Sequence, residues 1–385
     1  MTLSRRRLIS HAAIVASGMA AAPALVARSR GSSPGGGRAA QAMEDALALL
    51  AKTGPEYSGR LANHGPMAAE ALVRLERYDA VVPWVESYRK RLREHPAGVR
   101  PIDPKTWREP LGDGSRIGDW IAFFGARLEE SPWRDVIGNW VPRLSPGIIA
   151  AAFHGVIRTA HAVRSLEAQE TPARRRELAE GLGYWAATYI ALPESRTPPR
   201  DGRVAPSRAL PRVQAVPAER RILYGNITDR LKPLGSFSPF AEVADFVDAT
   251  GDPSAFVSDL TETFARAYLV NVPRGGSVIT YLHGVTGPSA MRLLLPYLDP
   301  PARAAMLRYG WQGAAGVYAA SGGVTEEPAQ EQGAIPDRAE LIDRAVATSD
   351  EHAIKFTEAC LRESSVKPNP VYWKAARDVA GRLRA

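Results

Sequence analysis

The sequence predicts an all-α fold, and three observations carry that prediction. Apolar residues recur at helical spacing along most of the chain. Strand-like alternation of β-branched residues is scarce, and the periodic stretches are bounded by helix-starting prolines and helix-ending glycines. With 385 residues, 45% of them hydrophobic, the chain can bury a large core, which excludes general disorder. The expectation is a single large multi-helix domain of about a dozen helices with a Pro/Arg-rich loop insertion.

The chain opens on an address. Ser4-Arg5-Arg6-Arg7-Leu8-Ile9 sets a twin-arginine pair before the mildly apolar run 12–22, and Ala22-Pro23-Ala24 offers small residues for cleavage. Residues 1–24 therefore read as a twin-arginine signal peptide, 25–42 as a flexible linker and 43–385 as the helical domain. A membrane anchor is the weaker reading, because the run is short and rich in Ala, Gly and Ser.

Helices are expected at 43–52, 68–75, 81–92, 120–128 and 133–141, with a loop carrying Trp107 at 103–114. One continuous helix is expected from the Pro146-Gly147 turn to Ala168, followed by another at 173–190. Within the latter, Gly181-Leu182-Gly183-Tyr184-Trp185-Ala186 matches a dinucleotide fingerprint in form only. No strand precedes it, so it reads as a close helix–helix contact. Residues 194–220, rich in proline and arginine, read as a surface insertion or crossing loop. Helical pattern resumes at 240–249 and 254–270, then from a start at Gly287-Pro288, and again at 302–320, 338–347, through EHAIKFTEACL, and at 372–383.

The formal charge of +8 falls to +5 once Arg5, Arg6 and Arg7 leave with the signal, and Arg28, Arg30 and Arg38 lie in the linker. The folded body is then nearly neutral and has no basic block interleaved with aromatics, which argues against nucleic-acid binding. Cys360 is the only cysteine, so no intrachain disulfide forms. No later stretch is long and apolar enough to insert stably in a bilayer. The expectation is an exported protein, periplasmic or extracellular, that meets the twin-arginine translocase on its way out. That route carries folded proteins, which favours a cofactor loaded beforehand.

Seven histidines are present; His11 lies in the signal and His95 precedes a proline at an expected exposed helix end. The other five, His64, His154, His161, His283 and His352, lie in or beside apolar segments. A buried imidazole needs a hydrogen-bond partner or a metal, so these are either satisfied core residues or ligands. Three are followed by glycine, which removes a side chain where backbone would crowd a metal. His154 and His161 are about 10.5 Å apart along a helix axis, too far for both to bind one small ion. Lys355 shares a helix face with His352 three residues before it. Burial there would lower its pKa, and a neutral amine can take up carbon dioxide to become a carbamate, an oxygen ligand. Alternatively it reaches solvent, or pairs with Glu351 or Glu358.

Four blocks, NHGPMAAEAL, PGIIAAAFHGVIRTAHA, LHGVTGPSAMRLLLPYL and DEHAIKFTEACL, together resemble the questin oxidase-like family over about residues 43–372. That resemblance implies a non-haem iron oxygenase related to enzymes that oxidatively open anthraquinone rings, with Fe(II) held by four histidines and a carboxylated lysine. Carried onto this chain, the metal ligands are His64, His154, His283, His352 and Lys355. His154 is taken over His161 because it sits in the family-like Phe-His block, which leaves His161 beside the site or as an alternative ligand.

The expected activity is therefore that of an oxidoreductase using O2 on a small aromatic, quinone-like substrate, with Tyr184, Trp185, Tyr281 and Trp311 as walls. Two alternatives stand beside it. A metal-dependent hydrolase would need a second metal or a free carboxylate, with Glu70 and Glu351 as the nearest acids. A non-catalytic exported helical binding protein would use its histidines structurally.

Overall fold

A computed structural model describes residues 34–195, 202–326 and 337–383. Fifteen α-helices occupy them: α1 Pro34–Leu50, α2 Gly65–Arg74, α3 Tyr78–Tyr88, α4 Ile117–Glu130, α5 Trp133–Leu144, α6 His154–Ala168, α7 Pro172–Ala187, α8 Pro206–Ala209, α9 Ile227–Leu231, α10 Pro253–Asn271, α11 Val278–Leu294, α12 Pro300–Ala320, α13 Arg338–Ala347, α14 Glu351–Val366 and α15 Pro370–Arg382. The all-α expectation holds. Two antiparallel strands of two residues each, β1 Glu56–Tyr57 and β2 Leu61–Ala62, form a small hairpin ahead of α2.

The helix starts are written into the sequence. Thr171, Asp252, Asp299 and Asn369 accept hydrogen bonds from first-turn N–H groups, with proline at the next position. Ser277, Asp337 and Asp350 cap α11, α13 and α14 in the same way. Helix α6 is the centre of the fold. Every residue from His154 to Leu166 is buried, and the helix packs on α2, α7 and α11. Helix α14 packs against α2, α11 and α15, so α2, α6, α11 and α14 share one interior.

Several boundaries differ from the sequence reading. Residues 1–33, which hold the expected signal peptide and the first part of the expected linker, lie outside the described residues, but 34–42 are helical, not linker. Ala39, Ala40 and Ala42 favour the helix, Ala42 and Met43 are buried, and Arg38 pairs with Asp79 on α3. The long helix expected from Pro146 is broken. Residues 145–147 form a 3-10 turn, and Ala151, Ala152 and Phe153 adopt positive φ of 45°, 58° and 68° before α6 begins at His154.

The break seats the Phe153 ring in a slot left by Gly287 and Gly313, where an added Cβ would come within 2.4 Å and 2.7 Å of it. Gly287-Pro288 accordingly lies inside α11 and does not start it. The helix expected at 240–249 is a 3-10 segment, Ser238–Phe246. Described residues of the Pro/Arg-rich insertion are packed: Leu210, Val213 and Val216 are buried, and the Val216 N–H donates to Ala319 O on α12. The fingerprint-like glycines do mark close helix contacts, since a Cβ on Gly181 would strike the Thr159 backbone and one on Gly183 that of Ile121.

Candidate metal centre

Four of the singled-out histidines converge, each from a different helix of the shared interior. His64 is the residue before α2, His154 the first of α6, His352 the second of α14, and His283 lies in the second turn of α11. Ring centroids are 4.5 Å apart for His64–His154, 4.6 Å for His64–His352, 4.7 Å for His154–His283 and 5.6 Å for His283–His352. One nitrogen each from His64, His154 and His352 lies within 4.8 Å of the others. His154 Nε2 is 2.8 Å from His64 Nε2 and 3.1 Å from His283 Nε2. Metal bonds of about 2.1 Å at right angles put neighbouring nitrogens about 3.0 Å apart, so these spacings suit one ion.

The tautomers follow from the partners. His154 Nδ1–H donates to the Ala151 carbonyl, which the left-handed turn aims at it, and His283 Nδ1–H donates to Ile279 O at 2.6 Å. Both Nε2 atoms are therefore left with bare lone pairs. Burial, reinforced by Lys355 and by the neighbouring histidines, holds both rings well below the usual imidazole pKa, so neither gains a second proton near neutrality. The two acceptors face each other at 3.1 Å, and of the described neighbouring groups only His64 Nε2, 2.8 Å from His154 Nε2, is placed to donate to one of them, which leaves His283 Nε2 without a donor. His64 is held neutral by the same causes, and its Nδ1 is buried with no partner among the described residues. Its main-chain N–H donates to the Tyr88 hydroxyl at 2.7 Å, which fixes the start of α2.

Lys355 is buried, 4% exposed, and lies close enough to depress the pKa of His64, His154 and His283. It does not reach solvent. Glu351 faces Arg91 at 3.6 Å and Glu358 pairs with Arg164, so neither takes Lys355 as its ion-pair partner. Desolvation lowers its pKa to about 7, against the pull of Glu351 and Asp350.

His161 stands apart from the four. Its Nδ1–H donates to Glu70 at 2.8 Å, and Arg164 binds the same carboxylate through Nε at 2.8 Å and through Nη2. Glu70 and Glu351, the acids a hydrolase would use, are thus both engaged by arginine. His95 also departs from expectation: it is partly buried, with Nε2 2.6 Å from Glu180.

The glycines that follow three of the histidines have a packing role. A Cβ on Gly65 would strike Leu50, one on Gly155 Trp185, and one on Gly284 Phe264, so each admits a neighbouring element and not a metal. The four aromatic wall residues are core: Tyr184, Trp185, Tyr281 and Trp311 are at most 2% exposed, and the two indoles donate to Gly147 O and Val243 O. The carbonyl acceptors Ala151 and Ile279 carried no sequence signal. Glu70, Arg164 and Glu358 did carry one, as charges inside apolar helix faces. No known protein-family model matches the chain, and no curated protein matches it.

Proposed function

We propose that this protein is a metal-dependent oxidoreductase, an oxygenase that takes iron(II) at its histidine centre and acts with O2 on a small aromatic, quinone-like molecule. One observation carries the reading: the bare Nε2 atoms of His154 and His283 face each other at 3.1 Å while both Nδ1–H groups are spent on main-chain carbonyls. A cation shared between them satisfies both lone pairs. His64 and His352 complete the set of nitrogen donors. Such donors with one anionic oxygen suit iron, manganese or zinc, and the likeness of the four sequence blocks to the questin oxidase-like family selects iron. Bound there, iron(II) supplies redox chemistry toward dioxygen that amino-acid side chains lack.

The chain's own residues hold and dry the site. The Ala151 and Ile279 carbonyls set the orientation of the His154 and His283 rings, and burial keeps His64, His154 and His283 neutral, the form that binds a metal. The neutral Lys355 amine can bond Nζ to the carbon of CO2 with release of one proton, which makes it an anionic oxygen donor.

The test is metal analysis after anaerobic loading with Fe(II), followed by oxygen-electrode measurements with quinones and anthraquinones. One iron per chain and quinone-dependent O2 uptake are expected, both lost in His154→Ala. A parent protein that retains no metal would make the histidines structural. Metal retention with no O2 uptake on any quinone would remove the oxygenase assignment and leave hydrolysis to be assayed.

A further inference from the structure

A second polar layer lies beneath the histidines. Glu70 follows His64 by six residues, His161 follows His154 by seven, Ser289 follows His283 by six, and Glu358 follows His352 by six. Each step is about 9–10.5 Å along a helix. Arg164 is the link: it grips Glu70 of α2 through Nε and Nη2 and donates from Nη1 to Glu358 of α14. Arg362 Nε donates to Glu358 at 3.1 Å and its Nη1 to Ser289 O of α11 at 2.8 Å. Glu70, Arg164 and Glu358 are 2%, 8% and 5% exposed. The same helices are therefore tied at two levels, α2 to α6 at His64–His154 and again at Glu70–His161, so the pair runs in one sense.

Apolar packing is non-directional and tolerates small slides of one helix on another. A two-pronged guanidinium–carboxylate bond does not. A metal centre tolerates about 0.2 Å in each bond, so axial register matters far more to the histidines than to the surrounding core. Buried ion networks, in turn, contribute little net stability and are best attested as devices that fix register. We propose that the Glu70–Arg164–Glu358 layer is the positioning device of the histidine centre, setting the axial register of α2, α6 and α14 and with it the spacing of His64, His154 and His352. The proposal rests on the metal-binding reading of those histidines.

The experiment compares Co(II) binding and its visible absorption bands in three proteins: the parent, the charge-free triple variant Glu70→Gln/Arg164→Met/Glu358→Gln, and Arg164→Lys. The triple variant should keep the parent's helix content and urea midpoint while binding Co(II) 10–100-fold more weakly, with shifted bands. Arg164→Lys, which keeps one cation but loses the fork, should fall between the two. A triple variant with the parent's affinity and spectrum overturns the positioning role and leaves the metal site intact. If the triple variant alone fails to fold, Arg164→Lys decides: weaker binding supports the role and parental binding overturns it. Failure of both to fold overturns it too, because the layer would then support the fold itself. A parent protein that binds no Co(II) removes this proposal together with the metal reading.

Discussion

Replacing Lys355 by methionine should stabilise the metal-free protein at neutral pH. Lys355 is 4% exposed, and burial lowers its pKa from 10.5 to about 7. In the unfolded chain the amine titrates near its ordinary value. Between the two pKa values the unfolded state binds one more proton, so stability rises with pH from about 7 to about 10.5. Below pH 7 both states carry the charge, and the folded protein bears the whole desolvation cost. At 1.36 kcal/mol per pKa unit that cost is about 5 kcal/mol, fading to nothing near pH 10.5. Methionine has a similar length and no charge, so it should recover most of this. Urea titrations of metal-free protein in CO2-depleted buffer at pH 7 and pH 10 give the comparison. The variant should exceed the parent by about 3–5 kcal/mol at pH 7 and by less than about 1 kcal/mol at pH 10. Equal stabilities at pH 7, or an excess that does not shrink with pH, would refute the account of a desolvated lysine. If Lys355 serves as a carbamate, the same variant should also bind iron more weakly than the parent, and Lys355→Arg should share that defect because guanidinium cannot be carboxylated.

Three further outcomes follow. His64, His154, His283 and His161 are held below the imidazole range by burial, so metal-free protein should lose stability as pH falls below about 6.5, by up to about 5 kcal/mol per unit for four protons. His95, raised by its bond to Glu180, is charged in both states there and adds stability that is lost only as pH rises above that value. Denaturation at pH 7.0 and 5.5 checks this, and a flat profile refutes it. Ala152→Gly relieves a positive φ of 58° and should be neutral or stabilising by up to about 1 kcal/mol, whereas Ala160→Gly inside α6 should cost about 1 kcal/mol; equal losses in thermal melts would contradict the strained turn. Changing Arg5 and Arg6 to Lys should hold the precursor in the cytoplasm on fractionation, and unchanged export would remove the signal assignment.

What was legible in the sequence was whatever periodicity and caps dictate. Helices α10, α12, α13 and α15 begin at a capping Asp or Asn, and the reading placed each within two residues of its start. The turn at 151–153 was not legible, because Ala151 and Ala152 are strong helix formers and only the slot between Gly287 and Gly313, far along the chain, pulls Phe153 out of register. The same long-range cause hid Gly287-Pro288 inside α11. At the site, the four converging histidines, three buried and His352 half-buried, could be singled out from their apolar surroundings, but not their convergence, which depends on how α2, α6, α11 and α14 pack. His161 shows the limit. It has the same local surroundings as His154, and only Glu70, ninety-one residues away, separates the two roles.

The placement of the histidines at helix starts bears on the charge the site requires. His64, His154 and His352 lie at the N-terminal ends of α2, α6 and α14, where unpaired N–H groups carry partial positive charge. The neutral imidazoles of His64 and His154 do nothing to offset that field, and a divalent cation beside them would add to it. Asp350, the cap of α14, answers part of it: its carboxylate accepts from the His352 N–H and lies 3.4 Å from His352 Nδ1. Glu70 and Glu358 are neutralised by Arg164 and cannot help. A protonated Lys355 would deepen the surplus, on top of the desolvation that already lowers its pKa to about 7. A carbamate at the same nitrogen would reverse it, placing an anion where helix ends and metal alike favour one. The electrostatics thus give a physical reason for a lysine at this position that a plain cation role does not.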